Sequence, residues 1–109
     1  MLSLELARIL LDNTAQSRCE AECTELVEAA VRYARLRVDW ALTLPEARAE
    51  IDLRRRSAHN VLIDAFNILS RSMAKRGEDN SWRALLGDER RFIGDVACQM
   101  HCLLGIQAA

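Results

Sequence analysis

Two cysteine pairs with the same spacing form the most suggestive chemical pattern in this sequence. Three residues separate Cys19 from Cys23, and three separate Cys98 from Cys102. A step of four residues places both thiols of a pair on the same side of a helix. Two such pairs that face each other could bind Zn²⁺ as a tetrahedral thiolate site, or close two disulfides across a helical hairpin.

The surroundings of the two pairs favour ordinary packing. Cys19 and Cys23 lie in the middle of an apolar helix face, whereas Cys98 and Cys102 lie roughly opposite the apolar face that spans 92–103. The two pairs would then point toward different parts of the protein. Buried free cysteine commonly behaves as a small hydrophobic residue. We therefore expect no metal and no cofactor, with metal binding, redox sensing or disulfide formation by these four cysteines as the alternative.

A polar row beside His59 contains the candidate ligand-binding residues. His59 lies at the edge of an apolar helix face, and Arg56, Asn60 and Asp64 recur at helical spacing on the opposite side. No acid stands three or four residues from His59, so nothing on its own helix orients the ring as a general base. The row favours a solvent-exposed helix back, and a ligand groove formed by these four residues is the alternative.

The run Arg54-Arg55-Arg56 has the composition of a phosphate-binding patch. Glu50 precedes Arg54 by four residues and Asp52 precedes Arg56 by four, which is the favourable orientation for ion pairs on a helix. The run is short, and no aromatic residues interleave with it. It therefore favours a solvated helix face of paired charges.

Catalytic motifs are absent from the sequence. Its 109 residues contain no glycine-rich phosphate loop, no H-E-x-x-H, no G-x-S-x-G and no EF-hand spacing. Enzymes built from long helices usually gather inward-facing carboxylates or histidines, such as Glu-x-x-His pairs, and no such pair occurs. The sequence therefore leans against an enzyme and predicts no catalytic residue. A site gathered from different helices is the one enzymatic alternative.

Length and composition indicate a single all-α domain over residues 1–109. Half of the residues are apolar, 5% are aromatic and one is proline, which suits helices better than a sandwich that needs frequent turns. We expect a bundle of three to four helices with a long central helix. Fifteen basic and sixteen acidic residues give a net charge of −1. A protein with this net charge lacks the overall electrostatic attraction to polyanions that proteins binding nucleic acids or anionic membranes have.

The sequence also predicts a cytosolic protein. No apolar run approaches the ~20 residues that span a bilayer. Residues 1–12 lack the positive start and the small-residue cleavage site of a secretory signal. The four cysteines would then remain reduced thiols.

The central helix is predicted over 45–76, with Pro45 in its first turn. The preceding helix ends near Leu42, so the two long helices should form an antiparallel hairpin. The apolar positions of the central helix span about 160°, wider than the ~100° stripe of a helix on one neighbour, so we expect contact with at least two others. These positions are Ala58, Val61, Leu62, Ala65, Phe66, Ile68, Leu69 and Met73.

The helix before the hairpin turn has two further features. Asp12-Asn13-Thr14 predicts a kink or a short break near residue 13, because these side chains compete for backbone hydrogen bonds. Residues 1–13 would then form a short N-terminal helix or an arm. Leu36 and Trp40 add a second apolar flank to this helix, which suggests coverage by a partner chain.

One segment of the predicted central helix carries a resemblance to a known family. It reads Arg55-Arg56-Ser57-Ala58-His59-Asn60-Val61-Leu62-Ile63, with supporting matches at Asn67-Ile68-Leu69, Arg32-Tyr33, Gly87-Asp88-Glu89-Arg90 and Gly94-Asp95. Over about residues 20–100 the sequence resembles a bacterial family of small helical proteins, domain of unknown function 3232. The resemblance implies a helical fold, transfers no catalytic residue and does not include the cysteine pairs.

Two functional hypotheses follow. The first is a cytosolic helical-bundle protein that acts as an interaction or structural module, as a homodimer joined through the apolar flanks of helix one and the central helix. The alternative is a regulatory protein that binds a small molecule or a metal through His59 and its polar neighbours, or through the cysteine pairs. Neither hypothesis includes a nucleic-acid or membrane partner.

Overall fold

The computed structural model of this protein describes the backbone of residues 1–108 and the side chains of residues 1–105. Within this range the fold is an all-α bundle with a long central helix, which confirms the predicted class. A 3-10 turn, Pro45–Ala47, precedes the central helix. The helices are α1 (Ser3–Gln16), α2 (Glu20–Leu42), α3 (Arg48–Lys75), α4 (Trp82–Leu86) and α5 (Arg90–Ala108).

The N-terminal segment is a core helix that ends at Gln16, and the break between it and α2 lies at residues 17–19, a few residues after the predicted position near residue 13. Asn13 Nδ2 donates to the carbonyl of Ile9 at 2.8 Å, and the hydroxyl of Thr14 donates to the carbonyl of Leu11 at 3.0 Å. Both side chains thus bond back along α1 and do not end it. Leu6, Ala7 and Leu10 of α1 are fully buried.

The hairpin of α2 and α3 is antiparallel, as predicted. The ring of Tyr33 meets the ring of His59, and further along α2 the ring of Trp40 lies under the guanidinium of Arg55. Later residues of α2 therefore contact earlier residues of α3, which is the order of an antiparallel pair. Arg48 Nε closes the turn, because it donates to the carbonyl of Trp40 at 3.0 Å and to that of Thr43 at 2.9 Å.

The core is organised around α2, which packs against both α3 and α5. The apolar arc of α3 is narrower than predicted, because Val61 and Ile68 are 50% and 40% exposed. The other six predicted positions are buried. The central helix α3 contacts α4 as well as α2. There Phe66 of α3 packs against Trp82 of α4, with ring centroids 6.0 Å apart. No helix of the described range covers the edge of α3 that carries Val61 and Ile68.

The segment after α3 connects the C-terminal end of α3 to the N-terminal end of α2. Gly77 has φ of 69°, and the amide of Glu78 donates to the carbonyl of Met73 at 2.9 Å, as in a Schellman cap. This cap places the Glu78 carboxylate beside the start of α2. There it accepts hydrogen bonds from the hydroxyl of Ser17 at 2.5 Å and from the amide of Arg18 at 2.9 Å.

None of the helices in the described part of the chain combines the length and the apolar composition that a membrane span requires.

Candidate functional site

An open cleft of about 540 Å³ lies where α2, α3 and the start of α5 meet. This volume falls within the range of small-molecule sites, roughly 300–1,000 Å³. Nine residues line the cleft, and none of them is acidic. Tyr33, Trp40 and His59 form its aromatic part. The other lining residues are Ala41 and the five arginines Arg37, Arg55, Arg56, Arg90 and Arg91.

Two carboxylates outside the lining hold three of these arginines. Asp95 pairs with Arg37 at 2.7 Å. Asp52 pairs with Arg55 at 2.6 Å and with Arg56 at 3.0 Å. The hydrogen bond from Arg55, and then the positive charges of Arg56 and Arg55, lower the pKa of Asp52, so its carboxylate stays charged at neutral pH.

The two arginines at the start of α5 have no carboxylate partner among the described residues. Arg90 instead donates to the side-chain oxygen of Asn60 at 3.0 Å. Five guanidinium groups therefore share two carboxylates, and the cleft carries an excess of positive charge. A small anion would meet attraction from three different helices there.

His59 forms the buried floor of the cleft. The residue is 6% exposed, and its Nε2 lies 2.7 Å from the backbone carbonyl of Arg90. A carbonyl oxygen only accepts, so Nε2 carries the proton and the neutral ring has its lone pair on Nδ1. Burial lowers the pKa of His59; the hydrogen bond to the Arg90 carbonyl opposes this effect, and the positive charge of Arg90 adds to it.

Two of the cleft's buried polar atoms lack a hydrogen-bond partner. They are Nε of Arg55 and Nδ1 of His59, and the one other such side-chain atom in the described part of the chain is Trp82 Nε1. Buried polar atoms in native proteins are nearly always paired. Both atoms are shielded from solvent, so they lie behind the open surface of the cleft.

Tyr33 and Trp40 fix the walls of the cleft. The Tyr33 ring packs edge-on against His59, with centroids 5.1 Å apart. Burial raises the pKa of Tyr33, an effect that the positive charge of Arg37 opposes, so its hydroxyl stays protonated at neutral pH. The Trp40 ring holds the guanidinium of Arg55 at 4.8 Å from its centroid. This stacking limits the conformations of Arg55 before any ligand arrives.

The sequence-predicted ligand residues separate into two groups. Arg56 and His59 line the cleft. Asn60 lies at its edge, where it accepts the hydrogen bond from Arg90. Asp64 is exposed and is not among the lining residues.

Helical spacing gave no sign that Arg37, Arg90 and Arg91 belong to the site, although Arg90 lies in one of the supporting matches of the family resemblance. Arg37 reaches the cleft from α2 and the other two from α5, and helical spacing relates residues only within one helix. The resemblance segment contains Arg55, and its acidic neighbours predict a solvated face for that residue. The predicted ion pair between Glu50 and Arg54 does form, at 2.7 Å.

The cysteine pairs lie in different parts of the bundle. Cys19 and Cys23 are buried at the start of α2, whereas the Cys98 thiol contacts Arg37 at 3.7 Å and Cys102 is exposed. Cys23 and Arg37 are fourteen positions apart on α2, or about 21 Å along the helix axis. The two pairs therefore cannot share one metal ion.

Metal ligands are not gathered elsewhere in the described residues, which contain no group of three or more histidine, cysteine, aspartate or glutamate side chains placed to hold an ion. Burial raises the pKa of both Cys23 and Cys98. These two thiols therefore stay protonated at neutral pH and lack the thiolate character of metal ligands or nucleophiles.

The cleft is suited to binding an anion more than to acid–base catalysis. The one polar partner of the His59 ring is a carbonyl, which cannot stabilise an imidazolium as a carboxylate would. No protein-family model, curated protein or solved structure matches this sequence. What fills the cleft must therefore be inferred from its own residues.

Proposed function

We propose that this protein binds a small anionic ligand in the cleft between α2, α3 and α5. One observation carries the proposal: five arginines from three helices line a single cleft whose lining contains no acid. The guanidinium group presents a planar fork of donors that matches carboxylate and phosphate oxygens. This proposal corresponds to the small-molecule alternative in the sequence analysis, with Arg56 and His59 as members of the site.

The site is organised before a ligand binds, which supports the proposal. Arg55 is held by its ion pair with Asp52 and by stacking on Trp40. Arg90 is held by Asn60. Side chains that are already ordered lose less conformational entropy on binding, so more of the charge attraction appears as affinity.

Titration with inorganic phosphate by isothermal calorimetry at low salt tests the proposal. We expect saturable binding that weakens as salt is added. Arg56→Gln and Arg91→Gln should each weaken it about tenfold, because a hydrogen bond to a charged group contributes about 1.5–3 kcal/mol. Arg71→Gln is the charge-matched control, since Arg71 is exposed on α3 outside the cleft. Absence of binding, or equal losses in all three variants, would contradict the proposal.

A second function, homodimerisation, is favoured by the free end of the hairpin. Leu42 is 82% exposed, and Val38, Leu44 and Leu53 are also exposed. α5 starts at Arg90, level with His59, so the hairpin end extends past it as two helices alone. We propose that a second copy of this chain covers this end, because two hairpins together form a four-helix arrangement that buries all four side chains.

This interface differs from the flank expected from the sequence. Leu36 packs against the core, and Trp40 stacks with Arg48 and Arg55 of its own chain. Native mass spectrometry should show a dimer that Leu42→Ser combined with Leu53→Ser converts to a monomer. Ile68→Ser, an exposed apolar position away from the hairpin end, should leave the dimer intact. A monomeric unmodified protein would reject this interface.

Two further proposals concern origin and location. Membership of the family of domain of unknown function 3232 rests on the Arg55–Ile63 segment, which contributes three residues to the cleft. A cytosolic location is supported by the four free cysteines, which suit a reducing compartment.

A further inference from the structure

Three arginines of the cleft have exposed side chains that a ligand can reach. Arg56 lies on α3, and Arg90 and Arg91 lie in the first turn of α5. All three residues are exposed and line the cleft. The side chain of Arg56 is 70% exposed even though it pairs with Asp52. A bound ligand would therefore meet guanidinium groups from both helices at the surface of the cleft.

Asn60 brings the first two of these arginines together. It follows Arg56 by four residues on α3, so the Cβ atoms of the two residues are about 5–6 Å apart on one helix face. Its side-chain oxygen accepts the hydrogen bond from Arg90 at 3.0 Å. Because Asn60 is uncharged, it compensates the positive charge of neither neighbour. Arg56 and Arg90 thus form a first guanidinium pair.

Asp95 relates a second pair, Arg91 and Arg37, in a similar way. It follows Arg91 by four residues on α5, and it pairs with Arg37 of α2 at 2.7 Å. A basic residue that precedes an acid by four positions is in the less favourable order for an ion pair on a helix, and the partner of Asp95 is Arg37 instead. The lining of one cleft therefore contains two guanidinium pairs, each drawn from two helices.

The positive charge of the cleft exceeds what a single phosphate can offset. Five guanidinium groups share the carboxylates of Asp52 and Asp95, which leaves three positive charges without a partner carboxylate. A phosphate group carries about two negative charges at neutral pH, and a diphosphate group carries roughly one more. The cleft volume of about 540 Å³ also suits a ligand larger than a single ion, since sites for drug-sized molecules range from roughly 300 to 1,000 Å³.

The position of two of these arginines within α5 is a second reason to expect a strongly charged anion. Arg90 and Arg91 are the first two residues of a 19-residue helix, and its first turn contains no acidic side chain. The helix dipole favours acids at that end and disfavours arginines. Local patterns that cost stability are expected at functional sites. A bound anion would offset the charge of both arginines there.

We propose that the ligand of this cleft carries a diphosphate group, whose two phosphates lie against the two guanidinium pairs. Phosphate oxygens accept from Arg56 and Arg90 at one end and from Arg91 and Arg37 at the other. A single phosphate would lie between the pairs and satisfy fewer of these donors. This inference rests on the proposed anion binding and adds the chemical class of the ligand. Because the cleft is open, either free pyrophosphate or the diphosphate end of a larger ester fits.

Calorimetry at pH 7.5, at low salt and without divalent cations, tests the inference. Pyrophosphate should bind at least about tenfold more tightly than inorganic phosphate, because it forms further hydrogen bonds to charged groups. Adenosine diphosphate separates the two sources of the diphosphate group. An affinity at or above that of pyrophosphate supports a nucleoside diphosphate as the ligand, and a lower affinity supports the free ion.

Two matched double variants test whether the preference for pyrophosphate belongs to the cleft. Arg56→Gln combined with Arg91→Gln removes one guanidinium from each pair and should reduce the preference to near unity, because a single phosphate then offsets the remaining charge. Arg54→Gln combined with Arg71→Gln removes the same charge at exposed positions outside the cleft and should keep the preference. A circular dichroism melt checks that both double variants fold. The ratio measured on the unmodified protein stands on its own if either variant does not.

The outcomes separate this inference from the proposed function. A preference for pyrophosphate that only the cleft variant loses supports both. If phosphate binds but pyrophosphate binds no more tightly, or if the cleft variant keeps the preference, the diphosphate assignment is overturned and anion binding stays in place. If neither anion binds, the proposed function and this inference both fail.

Discussion

His59 Nε2 donates a hydrogen bond to the backbone carbonyl of Arg90 at a distance of 2.7 Å, and this single contact joins the middle of α3 to the first residue of α5. The bond fixes the tautomer of the ring and therefore the acceptor at Nδ1. It also places Arg90 and Arg91 beside the arginines of α3. The same histidine thus anchors the start of α5 and lines the cleft.

The first prediction concerns the pH dependence of stability near neutrality. Burial lowers the pKa of His59 from its ordinary 6.5, so the unfolded chain binds more protons than the folded protein at mildly acid pH. The contribution of His59 to stability is therefore complete above about pH 6.5 and is lost as the pH falls through the lower, folded-state pKa. Urea unfolding at pH 7.5 and pH 5.5 should show the lower stability at pH 5.5.

The His59→Gln variant should lose most of this difference between the two pH values. His101→Gln should keep it, because no burial of comparable extent surrounds His101. An unchanged pH slope in His59→Gln would show that another group titrates in this range.

A second prediction concerns Glu78, at more acid pH. The hydrogen bond from the Ser17 hydroxyl, and then that from the Arg18 amide, lower the pKa of this carboxylate from its ordinary 4.5. The contribution of the Glu78 carboxylate to folding stability is present above pH 4.5 and is lost as the pH falls through its folded-state pKa. Glu78→Gln should lower the melting temperature at pH 7 and flatten its fall between pH 5 and pH 3. Glu25→Gln, at an exposed position of α2, should change neither.

The third prediction tests the close approach of Tyr33 to α5. A Cβ atom at Gly94 would lie 2.5 Å from the Tyr33 hydroxyl oxygen, closer than such atoms can approach. Gly94→Ala should therefore destabilise the protein by about 1–3 kcal/mol in spite of the higher helix propensity of alanine. Adding Tyr33→Phe should recover part of that loss. Gly105→Ala meets nothing within 4 Å and should stabilise by about 0.5–1 kcal/mol.

Chemical denaturation of the unmodified protein, the two single glycine variants and the double variant gives these free energies of unfolding directly. If Gly94→Ala were as stable as Gly105→Ala, the Tyr33 ring would have room to move, and the wall of the cleft would be less rigid than its packing indicates.

A fourth prediction compares two neighbours on α3 that the sequence placed in one apolar arc. Leu62 is fully buried, whereas Val61 is 50% exposed. Leu62→Ala should cost about 2–5 kcal/mol, because it removes core contacts and leaves a cavity. Val61→Ala should cost less than about 1 kcal/mol in the monomer. If the two variants lost similar free energies of unfolding in dilute solution, the edge of α3 that carries Val61 would have to be buried against another part of the protein.

This contrast shows how far a hydrophobic pattern determines the fold. Spacing at 3.6 residues places Val61 and Leu62 in one arc, and it correctly predicted the helix, its hairpin with α2 and six of the eight buried positions. The width of the arc does not show how many helices surround it. That number depends on tertiary packing, in which α2 and not α3 lies between two long neighbours.

The candidate site was accessible to sequence reasoning only in part, for a related reason. Arg56 and His59 belong to one helix, so their proximity follows from their spacing. Arg37 and Arg91 come from α2 and α5, and only the packed bundle brings them to the same cleft. Acidic neighbours also concealed Arg55, because a run of three arginines among acids indicates a solvated face of paired charges, whereas in the structure Arg55 pairs with Asp52 and lines the cleft.

The fifth prediction tests whether the geometry of Arg55, beyond its charge, serves ligand binding. Arg55→Lys keeps the positive charge but removes the planar fork and the stacking on Trp40. We expect inorganic phosphate to bind about three- to tenfold more weakly, because an ammonium group attracts the anion without the paired hydrogen bonds of a guanidinium. Arg54→Lys is the matched control, since Arg54 is exposed and pairs with Glu50 away from the cleft. Full affinity in Arg55→Lys would mean that the cleft attracts anions by net charge alone and that the guanidinium geometry of Arg55 contributes nothing to binding.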